Sequence, residues 1–254
     1  MADFVQLWVY LASTPLFGLT ATLLAYVAAQ ALYERSGQAP WANPVLLSVL
    51  LIGGVLLATG TPYPGYFSGA QFVHVLLGPA VVALGWPLWL RRAELRRRGP
   101  ALLLAALGGG TVAAGSAVAM GAALGLPAEI LASLAPKSVT APVAMGLAGS
   151  LGGIPAVAAL IAVVTGMVGA LLATPLFQAM GLRATPGQHG RWAVRGFAIG
   201  TAAHGLGTAR ALQVHPEAGA YAGVALGMQV LLAALLMPLL LPWGLPALQR
   251  LLGP

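Results

Sequence analysis

Five stretches of this chain, 7–32, 44–60, 101–125, 154–181 and 218–242, are apolar over close to the 20 residues that a helix needs to cross the hydrocarbon core of a bilayer. Only 7% of the 254 residues are charged and 59% are hydrophobic, so a water-soluble fold would lack the polar groups to cover its surface. The bilayer is therefore the expected solvent. The 34 glycines and 19 prolines lie inside the apolar runs, where membrane helices tolerate them, and point to closely packed, locally broken helices.

Residues 67–90 form a sixth candidate span with Gly78-Pro79 in its middle, where proline removes a backbone hydrogen bond and breaks or kinks a helix. Residues 127–150 and 192–216 are apolar enough for membrane depth but carry polar, Gly- or Pro-rich centres, the pattern of re-entrant or discontinuous segments. The expected fold is an all-α integral membrane protein, a polytopic helical bundle with broken or re-entrant helices, in one domain over 1–254.

The net charge of +7 does not point to nucleic acid, because Arg35, Arg91, Arg92, Arg96, Arg97 and Arg98 flank apolar segments. An Arg91–Arg98 loop with five arginines against Glu94 belongs in the cytoplasm, which puts the N-terminus outside. If 127–150 enters and leaves from one face, Arg183, Arg191 and Arg195 return to the cytoplasm. If 192–216 then crosses outward and 218–242 inward, Arg250 joins them. Asp3 and the lack of any basic residue before Arg35 argue against a cleaved leader, so the first helix is expected to be retained. Trp86, Trp89, Trp192 and Trp243 fall at helix ends as interfacial anchors.

Pro44 to Pro62 (PVLLSVLLIGGVLLATGTP) resembles Pro155 to Pro175 (PAVAALIAVVTGMVGALLATP), and the topology runs the two helices in opposite directions. Each precedes a broken segment and an intact span, so 44–125 and 154–242 are candidate inverted repeats. The competing reading is chance, since membrane composition alone fills both windows with apolar residues. Glycines four apart, as in Gly121/Gly125, Gly149/Gly153, Gly196/Gly200 and Gly223/Gly227, favour close helix approach.

Chemistry concentrates in two places. In Ala135-Pro136-Lys137-Ser138-Val139-Thr140-Ala141-Pro142, two prolines free backbone groups around Lys137, Ser138 and Thr140. A lysine at mid-helix in lipid costs roughly 2.5–3.5 kcal/mol on insertion scales, so a polar nest for a small anion is one way to offset it. Snorkelling, or pairing with Glu129, is the other. In Gly200 to Arg210, Gly205 and Gly207 allow departure from helical geometry, while Thr201, His204, Thr208 and Arg210 supply donors. The alternative is that Arg210 lies at the outer interface and His204 is a packing residue. The expected site joins Lys137, Ser138, Thr140, Thr201, His204, Thr208 and Arg210, with structural breaks at Gly78, Pro79, Pro136, Pro142, Gly205 and Gly207.

Catalysis has little to stand on. There is no cysteine, carboxylate pair, Ser-His-Asp order or metal-ligand spacing, and His215-Pro216-Glu217 lacks the cysteine half of a zinc deaminase motif. No enzyme activity, metal or organic cofactor is expected. A coupling ion, proton or sodium, is left open.

The segments NPVLLSVLL (Asn43–Leu51), YFSGAQFVHVLLGPAVVALGWPL (Tyr66–Leu88), SLAPKSVTAPVAMGLAGSLGGIP (Ser133–Pro155) and GTAAHGLGTARAL (Gly200–Leu212) resemble the LrgB/CidB family over nearly the whole chain. The resemblance implies a bacterial inner-membrane protein and two functional traditions. One is an antiholin-like modulator of murein hydrolase activity and autolysis, working with a small LrgA/CidA-type holin-like membrane partner. The other is transport of small monocarboxylates, of the pyruvate, glycolate and glycerate class, as in plastidic glycolate/glycerate translocators. The leading expectation is a transporter that takes a small organic anion at a midplane cationic site and assembles as a homo-oligomer.

Overall fold

A computed structural model gives the fold and describes residues 15–37, 39–76, 79, 82, 85–90, 92–183 and 189–252. Every regular element among them is helical. The order is α1 (Pro15–Arg35), a 3-10 turn at Pro40–Ala42, α2 (Pro44–Thr59), α3 (Tyr63–Val75), α4 (Gly85–Leu90), α5 (Arg92–Ala123), α6 (Ala128–Leu134), α7 (Ala141–Ser150), α8 (Pro155–Ala179), α9 (His189–Val214) and α10 (Pro216–Leu252). Large apolar side chains such as Leu57, Leu104, Val112, Leu160, Leu235 and Trp243 stand exposed on the helices. The buried positions are dominated by alanine. Small residues inside and large apolar ones outside suit helices that pack closely while facing lipid, and the chain is an all-α polytopic membrane protein.

Two compact units divide the chain, Met1–Ala83 and Leu84–Pro254. In the first, α1 packs on both α2 and α3. The α1–α3 approach depends on Gly18, where a Cβ would lie 2.8 Å from the Ala70 amide nitrogen and closer still to the Tyr66 carbonyl. Thr22 and Tyr66 join their hydroxyls at 2.8 Å beside it. Asn43 caps α2 by accepting from the amides of Val45 and Leu46, at 2.9 and 3.2 Å.

Among the described residues, four helical stretches are long and apolar enough to cross a bilayer: Leu16–Arg35, Arg96–Ala123, Pro155–Ala179 and Pro216–Ala247. The expected span at 44–60 is the 16-residue α2, ~24 Å long at 1.5 Å per residue, somewhat short of a hydrocarbon core of about 30 Å. The expected span at 67–90 holds two shorter pieces, α3 ending at Val75 and α4 beginning at Gly85. Gly78 lies outside the described residues, and Pro79 is exposed in helical geometry. Arg92, Arg96, Arg97 and Arg98 form the first turns of α5 instead of a loop, as the good helix propensity of Arg, Ala, Leu and Glu allows.

The second unit has two ends that its contacts define. At one, the Arg98 Nη1 donates to the Tyr221 hydroxyl at 3.4 Å, and Trp192 stacks on His215. At the other, Gly121 of α5 packs on Leu131 and Leu134, and Ser133 accepts from the Ile154 amide at 2.8 Å. Between these ends α5 and α10 run parallel: Arg98 meets Tyr221, Ala106 meets Gln229, and Val118 and Ala122 cluster with Leu245. The helix α8 runs the opposite way, from Ile154 beside Ser133 to Phe177 beside Trp192.

The segments between these crossings are hairpins. Residues 127–150 form α6, a turn over 135–140 and α7, and the turn and α7 pack back along α8 through Val139, Ala144, Leu147 and Ala148 against Ala158 and Ala162. The second hairpin is α9 itself. Gly207 abuts the Ile199 carbonyl, such that a Cβ there would lie 2.9 Å from it, whereas eight residues of straight helix would separate them by ~12 Å. Ala211 likewise clusters with Trp192, Ile199 and Ala218.

This corrects the expected outward crossing of 192–216. The segment returns to the Arg98 end, α10 then crosses, and Arg250 emerges at the end opposite Arg98. Hydropathy could not separate the two paths, because a hairpin shielded by protein is as apolar as a span. In the second unit, a hairpin followed by a crossing helix thus occurs twice with opposite direction. The candidate repeat 44–125 divides between the two units.

Candidate functional site

The two hairpins reach α8 from opposite ends. On the second, helical geometry fails at Ala203 (φ −121°, ψ 16°) and His204 (φ 40°, ψ −134°), one residue before Gly205. His204 holds a left-handed φ without being glycine, a conformation that costs of order 1–3 kcal/mol and persists only where surroundings enforce it. The enforcement is visible. His204 is 4% exposed, and its Nε2 lies 2.7 Å from the Ala162 carbonyl of α8. Because a carbonyl only accepts, that bond places a proton on Nε2. Gly166 provides the space, since a Cβ there would lie 2.7 Å from the imidazole. Thr208 donates to the His204 carbonyl at 2.8 Å and secures the start of the returning limb.

The tip of the first hairpin is built differently. Pro136 is fully buried in the turn over 135–138, and Pro142 stands in the first turn of α7, where a missing amide hydrogen is harmless. Lys137 is half-buried, with its Nζ donating to Ser138 Oγ at 3.2 Å, and Val139, two residues on, packs in one cluster with Ala162, whose carbonyl holds His204. Ser138 is buried. Thr140 occupies the N-cap of α7 without capping it, and its Oγ1 is buried with no hydrogen-bond partner among the described residues. A buried hydroxyl left unmatched, on a hairpin tip that also bears a lysine, favours a ligand that accepts hydrogen bonds and carries negative charge.

Lys137, Ser138, Thr140 and His204 therefore share one neighbourhood, and Thr208 supports it. Thr201 does not join it: the hydroxyl donates to the Phe197 carbonyl at 2.9 Å and the methyl packs on Gly109 of α5. Arg210 lies six residues past His204, ~9 Å along the returning limb, and lines a small pocket at the Arg98 end with Arg195, Trp192 and Phe177. Gly205 and Gly207 are helical, and Gly207 serves the close approach of the two limbs.

Ala162 and Gly166 are site residues that sequence reading missed, and nothing in an apolar run singles them out. Gln229 was legible as the sole amide side chain of its span. It is buried and donates to the Ala106 carbonyl at 2.7 Å, joining α10 to α5. It borders a cleft of about 220 Å³ between those helices that is otherwise nearly all apolar and holds no cation, so it offers an anion little. Among the described residues no group of His, Cys, Asp and Glu is arranged to hold a metal.

The profile of the LrgB-like family matches residues 22–243. The uncharacterized protein YxaC of Bacillus subtilis is 34% identical over 76% of this chain and 80% of its own length. Holin-like proteins CidB are also similar, at 27% identity over 89% of this chain and 92% of the relative in Staphylococcus aureus, and 26% over 81% and 86% in Staphylococcus epidermidis. No solved structure matches. With the match spanning both hairpins and all three crossing helices of the second unit, the chain belongs to the LrgB-like family.

Proposed function

We propose that this protein transports small monocarboxylates of the pyruvate, glycolate and glycerate class, with Lys137 and His204 receiving the carboxylate between the two hairpin tips. The observation that carries the reading is the approach of two hairpins from opposite ends to one stretch of α8, where Val139 of the tip that bears Lys137 and Thr140 packs with Ala162 and His204 bonds to the Ala162 carbonyl. Broken helices that meet near the middle of a bundle are how many secondary transporters build a site accessible in turn from each side. Proton or sodium coupling fits the same architecture. We assign no catalytic step to it.

The accompanying proposal for location is the bacterial cytoplasmic membrane with the N-terminus outside. The Arg98 end would be cytoplasmic, since Arg98, Arg191 and Arg195 gather there. We propose further that the protein assembles as a homo-oligomer and works with a small LrgA/CidA-like membrane partner. Initial uptake of labelled pyruvate into proteoliposomes tests the reading: Lys137→Ala should abolish most of the flux, and undiminished flux would sink it.

The names of the CidB relatives favour a second reading, an antiholin-like modulator of murein hydrolase activity and autolysis. Dye release from vesicles by the purified protein, without saturable carboxylate flux, would support that reading over the first.

A further inference from the structure

The mouth of the second hairpin carries a cationic group that the central site does not use. Arg195, on the entering limb, has its guanidinium 5.0 Å from the Phe177 ring centroid and 4.9 Å from that of Trp192. Trp192 in turn lies parallel to His215, 4.7 Å between centroids and 2° between planes. Two aromatic faces thus fix the guanidinium by cation–π contact. Arg195 is only half-buried, and among the described residues no protein acceptor takes any of its N–H groups. Arg210, on the returning limb, lines the same small pocket, about 20 Å³ and partly open.

A guanidinium placed over two aromatic rings, with no protein acceptor on it among the described residues, has N–H donors left for a carboxylate in a planar fork that lysine does not reproduce. Its distance matters too. Arg195 is nine residues before His204 and Arg210 six after it, so both stand roughly 9–13 Å from the hairpin tip on the Arg98 side. A pocket that admits one water-sized group suits a carboxylate head with its short apolar tail left outside, and not a larger ligand.

We propose that Arg195, with Arg210 beside it, forms a second anion station at the hairpin mouth, which binds the carboxylate of a small organic acid before it reaches the centre. The station rests on the transport reading above, and it makes Arg195 a residue of affinity and selection. The order of events follows from position: anions from the Arg98 side meet Arg195 first, and neutral or cationic solutes gain nothing there.

Trp192 supplies a built-in reporter. Protein in nanodiscs of neutral lipid is titrated with pyruvate or formate while tryptophan fluorescence is followed, and Trp192→Phe assigns the signal. The expected result is a saturable change that Trp192→Phe removes, Arg195→Gln weakens at least tenfold, Arg195→Lys weakens less, and Lys137→Ala and Arg250→Gln leave in place. Wild-type affinity in Arg195→Gln, or loss of the signal in Lys137→Ala, overturns the station. So does a change that only phosphatidylglycerol in the disc evokes, which would make the pocket a seat for lipid headgroups. Uptake separates the two ideas. Arg195-dependent binding without any flux would remove the transport reading and keep an anion site, while carboxylate flux indifferent to Arg195→Gln would do the reverse.

Discussion

The two hairpins of the second unit both turn back against α8, but one does so with prolines and the other against local backbone preference. At 135–142 the chain spends Pro136 and Pro142 on the turn, so the backbone there is relaxed and its polar side chains, Lys137 and Thr140, are left for a ligand. At Ala203–His204 the residue with the left-handed φ has a large side chain, and it is pinned by its bond to the Ala162 carbonyl. A break made by proline needs no support from its neighbours. A break made at histidine exists only while α8 holds it, which ties the geometry of the second tip to the helix that the first tip also touches.

The sharpest way to break this comparison is to take the ligand-facing group from the relaxed tip. Lys137→Ala should lower initial carboxylate uptake about 100-fold, as expected for loss of a charge-assisted contact of roughly 3 kcal/mol, with little change in thermal unfolding. The opposite signature is expected at the supported tip. Gly166→Ala places a methyl against the His204 ring and should destabilise the protein by about 1–3 kcal/mol, read as a lowered melting temperature in detergent together with reduced flux.

Strain at His204 can be isolated by comparing two substitutions that both remove the imidazole. His204→Gly should melt higher than His204→Ala by the equivalent of ~1 kcal/mol, because only glycine accepts φ near 40° without penalty, partly offset by its greater freedom when unfolded. Equal melting would show that the backbone there is not strained. The smallest effect belongs to the prolines. Pro142→Ala should cost less than ~1 kcal/mol and leave flux within a few-fold, since the first turn of a helix gains only a preset φ from proline.

The same contrast explains what the sequence disclosed. Prolines bracket the first hairpin, so 127–150 reads as a segment that turns back, and the structure has it so. The second hairpin carries glycines at 205 and 207 that mark the neighbourhood but not the residue, because the turn falls on His204 through a tertiary bond to a carbonyl 42 positions away. No local pattern encodes such a bond. Thr201 and Arg210 share a stretch with His204 in the sequence, which suggests one site, yet a reversing chain sends them to α5 and to the mouth of the hairpin. Arg195 looked like one more basic anchor, and only the rings of Phe177 and Trp192 around it distinguish it.

Three crossings is an odd number, and the second unit makes three, through α5, α8 and α10. Arg250 and Arg183, which lie on either side of the α10 crossing, consequently belong to different compartments. In sealed vesicles of uniform orientation, an impermeant protease supplied from outside would cut at one of these places while the membrane shields the other.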